Sequence, residues 1–291
     1  MTQKETKQRL KKYHEWYPHI HVDFHEQGVD SPYYFAPAVE PLHEIITDFQ
    51  REFQYTIGKN HALYFDKEGW SYFSKEVFDL LYPGYGDTYP MFLGAIGMTY
   101  EQGGSGQAGL SIKNKIGDNL TLKDRIAHHY TTCLSTVEAA SNNSKLINDE
   151  FKKYFQNDKV KYATYALKGE FDKIASLTRL LDIHHIPYEH PKTKLNVKGW
   201  DYEKQKNTTV SFGPDALILN GGGKKGKLIQ ALFEPKTQLS DSVTYDITSW
   251  SLPYAHGLKA VASQQKISNT IPFKEESIVT PPETKAYAYA T

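Results

Sequence analysis

Apolar positions recur with two different periods along this chain, and the alternation between them lays out the elements. Residues 4–16 set Leu10, Tyr13 and Trp16 three apart on one face, which predicts a short amphipathic helix. Pro18 ends it, because the residue before a proline is pushed out of the helical region. From His19 to His25 the period falls to two: Ile20, Val22 and Phe24 share one face of a predicted strand, and His19, His21, Asp23 and His25 the other. A polar and aromatic loop over 28–36 leads to a helix over about 40–56, with Leu42, Ile45, Ile46, Phe49 and Phe53 as its apolar stripe. Tyr82-Pro-Gly-Tyr-Gly-Asp87 reads as a turn. Residues 90–100 are nearly all apolar, the pattern of a strand covered on both faces. Beyond a glycine-rich loop, Thr121 is the expected N-cap of a helix with Asp124 in its first turn. That helix runs to about Ala140 and is expected to bury Ile126, Tyr130, Cys133, Leu134 and Val137.

A second unit starts near Lys159. A strand over 162–167, a helix over 170–181 and a strand over 183–188 predict a single βαβ unit. Strand candidates at 209–219 and 228–234 follow, joined by Asn220-Gly-Gly-Gly-Lys-Lys-Gly-Lys. From Gln264 onward Lys, Ser, Thr and Pro dominate, as in a linker or frayed end. The whole order predicts an α/β protein: a partial mixed sheet with helices in 1–157, a second smaller α/β unit in 158–263, and a tail in 264–291.

Composition acts mainly by exclusion. With 34 basic and 34 acidic residues the formal charge is zero, so nothing favours nucleic acid or a membrane surface as partner. No apolar run approaches the roughly 18–20 residues that span a bilayer, and the first ten residues lack the apolar core of a signal peptide. Cys133 stands alone, which excludes an internal disulfide and a cysteine-based zinc cluster, and reads as a small buried residue.

Candidate chemistry gathers at two strand ends. Alternate strand positions lie about 6.6 Å apart, so the histidines of the first strand cannot share one ion with bonds near 2.0–2.1 Å. His25, at the strand end, is the one candidate ligand. Glu101 ends the apolar strand and is followed by Gln-Gly-Gly-Ser-Gly106-Gln-Ala-Gly109. An imidazole and a carboxylate so placed are parts of a metal-assisted hydrolase.

On these residues the stretch from about 4 to 140 resembles the zinc carboxypeptidase family, the peptidases built like carboxypeptidase A. Asp23-Phe24-His25 matches the family's third zinc ligand, and Glu101 with Gly106 and Gly109 matches its catalytic Glu-x4-Gly-x2-Gly. Asp87 lies fourteen residues before Glu101, as in the family. Tyr82, with Tyr85 as second choice, matches the substrate-capping tyrosine, and Gly86 takes the pocket-floor position before Asp87. The resemblance implies a metallocarboxypeptidase that uses zinc to cleave C-terminal residues from peptides. His25 would be a metal ligand, Glu101 general base and then acid, and Tyr82 a lid, with Tyr85, Gly86 and Asp87 on the substrate side. A zinc ion with an open position lowers the pKa of its water to about 7, and the carboxylate moves the proton. Relatives of this kind are commonly secreted or periplasmic.

The family's His-x-x-Glu, which supplies the other two ligands, does not occur in the sequence, nor does the Asn-Arg pair that grips the substrate carboxylate. The expectation is therefore the C-terminal part of a catalytic domain, lacking its N-terminal half and inactive as an isolated chain. A non-catalytic peptide-binding module is the alternative. Rival motifs read more simply. Gly221 to Lys227 nearly spells a phosphate loop, but Leu228 replaces the magnesium-binding hydroxyl, which leaves a hairpin loop with solvated lysines. His184, His185 and His190 read as loop histidines, and His128 and His129 as surface or helix-packing residues.

Overall fold

The computed structural model describes residues 3–115, 117–156, 159–239 and 250–272. Helix α1 (Lys4–Trp16) ends as expected, at Tyr17, which turns left-handed (φ 46°) and returns its N–H to the Tyr13 carbonyl. The period-two stretch is strand β1 (Ile20–Gln27). Within and after the expected loop lie the short strands β2 (Tyr33–Tyr34) and β3 (Val39–Leu42).

Helix α2 (Asp48–Glu68) begins later than its apolar stripe suggests. Thr47 and Gln50 exchange side-chain and backbone bonds in a reciprocal capping box, and that local chemistry fixes the start. Gln50 also donates to the Met91 and Ala95 carbonyls, fastening the helix start to the turn that feeds the main strand. After β4 (Tyr72–Phe73) and β5 (Asp79–Leu80) comes a helical turn, α3 (Thr88–Met91), and then strand β6 (Ile96–Gly103). The apolar run over 90–100 is thus half turn and half strand. A hairpin, β7 (Ser111–Lys113) and β8 (Asn119–Thr121), leads to α4 (Leu122–Asn142) and α5 (Ser144–Gln156).

The first sheet has the order β1-β6-β2-β4 and is mixed: β1 runs parallel to β6, β2 antiparallel to β6, and β4 parallel to β2. Helix α4 starts at the expected cap, Thr121 with Asp124. Its orientation is the reverse of the expected one. Ile126, Tyr130, Leu134 and Val137 are 50–63 % exposed and Cys133 is exposed. The buried face carries Thr132, Ser135, Thr136 and Ala139. Tyr33 Oη meets Thr132 Oγ1 at 2.9 Å, Tyr100 Oη meets Thr136 Oγ1 at 2.8 Å, and His61 Nδ1 meets Ser135 Oγ at 2.8 Å. Buried hydroxyls are tolerated when each has a partner, and here the facing elements provide them.

The second unit contains β9 (Thr164–Lys168), α6 (Phe171–Ile183), β10 (Glu189–Pro191), β11 (Leu195–Asp201), β12 (Lys206–Phe212), β13 (Leu217–Asn220), α7 (Gly226–Phe233), α8 (Leu252–Ala255), β14 (Lys259–Ser263) and β15 (Thr270–Pro272). Its strands form a seven-stranded sheet, β12-β11-β14-β9-β13-β10-β15, antiparallel at every pairing. The expected βαβ unit is therefore split, with β13 inserted between β9 and β10. The strand expected over 228–234 is helix α7, whose Leu228, Ile229, Ala231 and Phe233 are all buried. The expected tail contains β15, and its residues past Pro272 lie outside the described residues. One core cluster runs from Leu10, Tyr13 and Phe92 to Tyr165, Leu177 and Phe233, so residues from both sequence halves share it. The molecule is mixed α and β with several sheets. Among the described residues no helix is long and apolar enough to cross a membrane.

Candidate functional site

Parallel pairing of β1 with β6 carries an unbroken register from Ile20↔Ile96 to Gln27↔Gly103, and it sets His25 opposite Glu101. His25 Nδ1 lies 3.8 Å from Glu101 Oε1, and its Nε2 lies 3.3 Å from Asp23 Oδ2 on the same strand face. Both ring nitrogens thus look at carboxylates. The His25 side chain is 55 % exposed, whereas Glu101 is buried. Burial pushes the Glu101 carboxyl up from its ordinary value to about 7; His25 opposes the shift, and Asp23 and Asp87 add to it.

The segment before β6 closes over these strand ends. A Cβ on Gly86 would fall 1.8 Å from Asp23 Oδ2, and one on Gly97 would fall 1.8 Å from the Asp87 carbonyl oxygen. Two side-chain-free positions therefore let the loop settle on the sheet. Asp87 is buried and accepts from Thr99 Oγ1 at 2.9 Å and Thr88 Oγ1 at 3.2 Å. Burial raises its carboxyl above the usual range, and those two hydroxyls hold the shift back. Tyr34, the cross-strand neighbour of Glu101, is buried and its phenol is pushed up, first by burial and then by Asp87 and Glu101.

Beyond Glu101 the chain turns at Gly106 and Gly109, both left-handed (φ 70° and 53°), where a side chain would be strained. Arg125 on α4 ties this turn down, donating to the Gly109 carbonyl and to Glu26 next to His25. His129, one helical turn on, meets Tyr33 Oη at 2.8 Å and bonds the His25 backbone. His128 meets the side chain of Gln102 at 2.7 Å. The helix that follows the glycine loop therefore braces both strand ends.

The sequence-derived positions do not all converge. His25, Glu101, Gly86 and Asp87 meet around Asp23. Tyr82 instead packs its ring on Tyr85 and Trp250, at 5.1 and 5.8 Å. With Tyr85 and Gly86 it lines a pocket that also takes in Tyr13, His21 and Tyr89, beside Asp23 on the same side of β1. Sequence reading gave Asp23 no role at the site and missed Tyr34. Asp23 shares the strand face of His25 and was visible in the alternation. Tyr34 comes from a two-residue strand within an expected loop and carried no local signal.

The donor set does not fit a zinc centre. Among the described residues no group of three or more His, Cys, Asp or Glu is placed to hold a metal. His25 is a single imidazole whose two nitrogens already face Asp23 and Glu101, whereas a catalytic zinc site takes three protein ligands.

A second polar cluster sits where α1, α3, α6 and α7 meet, joining positions far apart in the chain. Lys225 Nζ lies 3.1 Å from His14 Nδ1, His14 Nε2 lies 3.2 Å from Tyr89 Oη, and Tyr89 Oη lies 2.7 Å from His184 Nδ1. All four are buried. Burial, with Lys224 adding, brings the Lys225 amine down to about 7, and burial brings His14 to about 3. A neutral His14 accepts from Lys225, so the bonds run in one direction toward His184. Although β13, the glycine-lysine loop and α7 follow one another as in a phosphate loop, the lysines are engaged elsewhere: Lys224 lies over Tyr17 at 3.8 Å and Lys227 over Tyr154 at 3.5 Å. His184 does lie in the turn after α6, but it is buried there as a partner of Tyr89.

Comparison with known proteins adds no relative: no family model, curated protein or solved structure matches the chain.

Proposed function

We propose that this chain carries the general-base half of a carboxypeptidase A-type site, acting on peptide C-termini. One observation supports the reading above the others: the parallel register that brings His25 and Glu101 together at neighbouring strand ends, 76 residues apart in sequence. In this reading Glu101, with a carboxyl near 7, takes the proton of the attacking water and returns it to the leaving amine, a task that suits a group titrating near the working pH. His25 faces it at 3.8 Å, and the Gly86–Asp87 segment borders the substrate. Zinc, which the resemblance implies, would need the His-x-x-Glu that the sequence lacks, so the isolated chain is expected to turn over nothing.

Hippuryl-phenylalanine is the probe. With added zinc the isolated chain should hydrolyse it at background rate, while NMR titration should shift the Glu101 carboxyl and the Gly86 amide. Hydrolysis above background would contradict the incomplete site, and unmoved signals at both positions would defeat the peptide-site reading. The donor count also favours a second reading, a peptide-binding module without turnover. That module has no use for a carboxyl near 7, so a measured Glu101 value in the ordinary carboxylate range would favour it.

A further inference from the structure

We propose that the cavity bordered by α1, the turn over 82–86 and Trp250 is a binding site for a small aromatic carboxylate, a single ring with a short acid arm, anchored by Arg9. The cavity measures 220 Å³. An apolar void of about 150 Å³ already admits benzene, so this one has room for a ring and a short substituent. Its lining is rich in rings. Tyr82, Tyr85 and Trp250 are half-buried, and Tyr82 meets the other two edge to face at 5.1 and 5.8 Å. Tyr13 and Tyr89, crossed at 67° and 6.2 Å apart, also line it. Crossed ring pairs of this kind leave edges and faces on which a further aromatic ring packs in the same way.

The polar groups of the lining choose the sign of the ligand. Thr6, Arg9, Leu10 and Tyr13 recur three to four positions apart, so one face of α1 forms a wall and brings Arg9 to the cavity. His21 of β1 is beside it, its ring 5.6 Å from Tyr13 and within reach of the Arg9 charge. The lining holds no Asp, Glu or Lys, which makes Arg9 its one fixed charge. Among the described residues Arg9 pairs with no carboxylate and His21 makes no hydrogen bond. Asp23, the next acidic residue along β1, faces His25 at 3.3 Å instead. A guanidinium so placed offers a carboxylate two parallel N–H donors. Burial holds the His21 imidazole below its ordinary value, with Asp23 opposing and Arg9 adding, so at neutral pH the ring is uncharged and supplies one more N–H. A neutral aromatic would leave the guanidinium unpaired, and an aromatic amine would be repelled.

This inference is independent of the reaction assigned to Glu101. Gly86 is the lining residue that the two sites share. His21 stands four residues before His25 on β1, about 13 Å along a strand, farther than one ring with a short arm reaches.

The test is isothermal titration calorimetry on the full chain at neutral pH, with phenylacetate as the probe. One-to-one saturable binding is expected, with benzyl alcohol and phenethylamine weaker by about tenfold or more. Arg9→Ala should weaken phenylacetate by about 10- to 100-fold, the loss expected when hydrogen bonds to a charged group are removed. Its circular dichroism should match the parent's, because Arg9 is exposed. Arg9→Glu should reverse the preference toward phenethylamine, and Glu101→Gln should bind phenylacetate as the parent does. In NMR spectra phenylacetate should move the ring signals of His21 and Trp250. No saturable binding of phenylacetate, equal affinity for benzyl alcohol, an indifferent Arg9→Ala, or a loss of binding in Glu101→Gln would each overturn the proposal.

Discussion

Glu101→Gln removes a buried ionisation while keeping the shape of the side chain, and its effect on stability follows from the site. The Glu101 carboxyl moves from an ordinary 4.5 to about 7 on folding, chiefly by burial. Between those values the folded protein holds a proton that the unfolded chain has released, so stability falls as pH rises through this window. The penalty is complete above about pH 7 and, at 1.36 kcal/mol per unit, amounts to roughly 3 kcal/mol. Glutamine carries no such penalty. Urea unfolding followed by the fluorescence of the four tryptophans should therefore show the two proteins nearly equal below about pH 4.5. The variant should draw ahead between pH 4.5 and 7 and lead by roughly 3 kcal/mol at pH 8. A pH-independent difference, or a variant less stable than the parent at pH 8, would show that Glu101 is not held against its charge.

Two further perturbations probe the neighbouring contacts. Gly97→Ala drives a methyl to 1.8 Å from the Asp87 carbonyl oxygen, a backbone atom that cannot swing aside, and should destabilise by about 1–3 kcal/mol in thermal melts; an unchanged melting temperature would refute the close seating of the loop on β6. Lys225→Met tests the second cluster: with the amine lowered from 10.5 to about 7, the unfolded chain binds the extra proton between those values. Parental stability should therefore rise with pH across that window, and the variant should lose the slope; a slope that persists would place its origin elsewhere.

Legibility in the sequence tracked how local the cause was. The end of α1 before Pro18, the alternation of β1 and the Thr121 cap of α4 are set within a few residues, and the structure has them where the pattern puts them. The start of α2 was misplaced because Leu42, Ile45 and Ile46 are apolar for packing reasons, while the Thr47–Gln50 box that actually starts the helix is polar. For the site, the pairing of His25 with Glu101 was inferable from two strand ends, but the pocket placement of Tyr82 and the arrival of Tyr34 depend on segments brought together only by tertiary structure. The Lys225 cluster joins positions 14, 89, 184 and 225, and no window of sequence contains it.

The larger misreading, the inverted face of α4, has a consequence of its own. Three directional bonds, from Tyr33, Tyr100 and His61 to Thr132, Thr136 and Ser135, act like teeth on a key and fix the roll of the helix about its axis. Oil–water partition alone would turn the same cylinder the other way, hiding Ile126 and Val137 beneath it. Hydroxyl chemistry thus holds this helix in a pose that greasy side chains would reject, and stripping away those teeth is the simplest way to make the outer seam disappear.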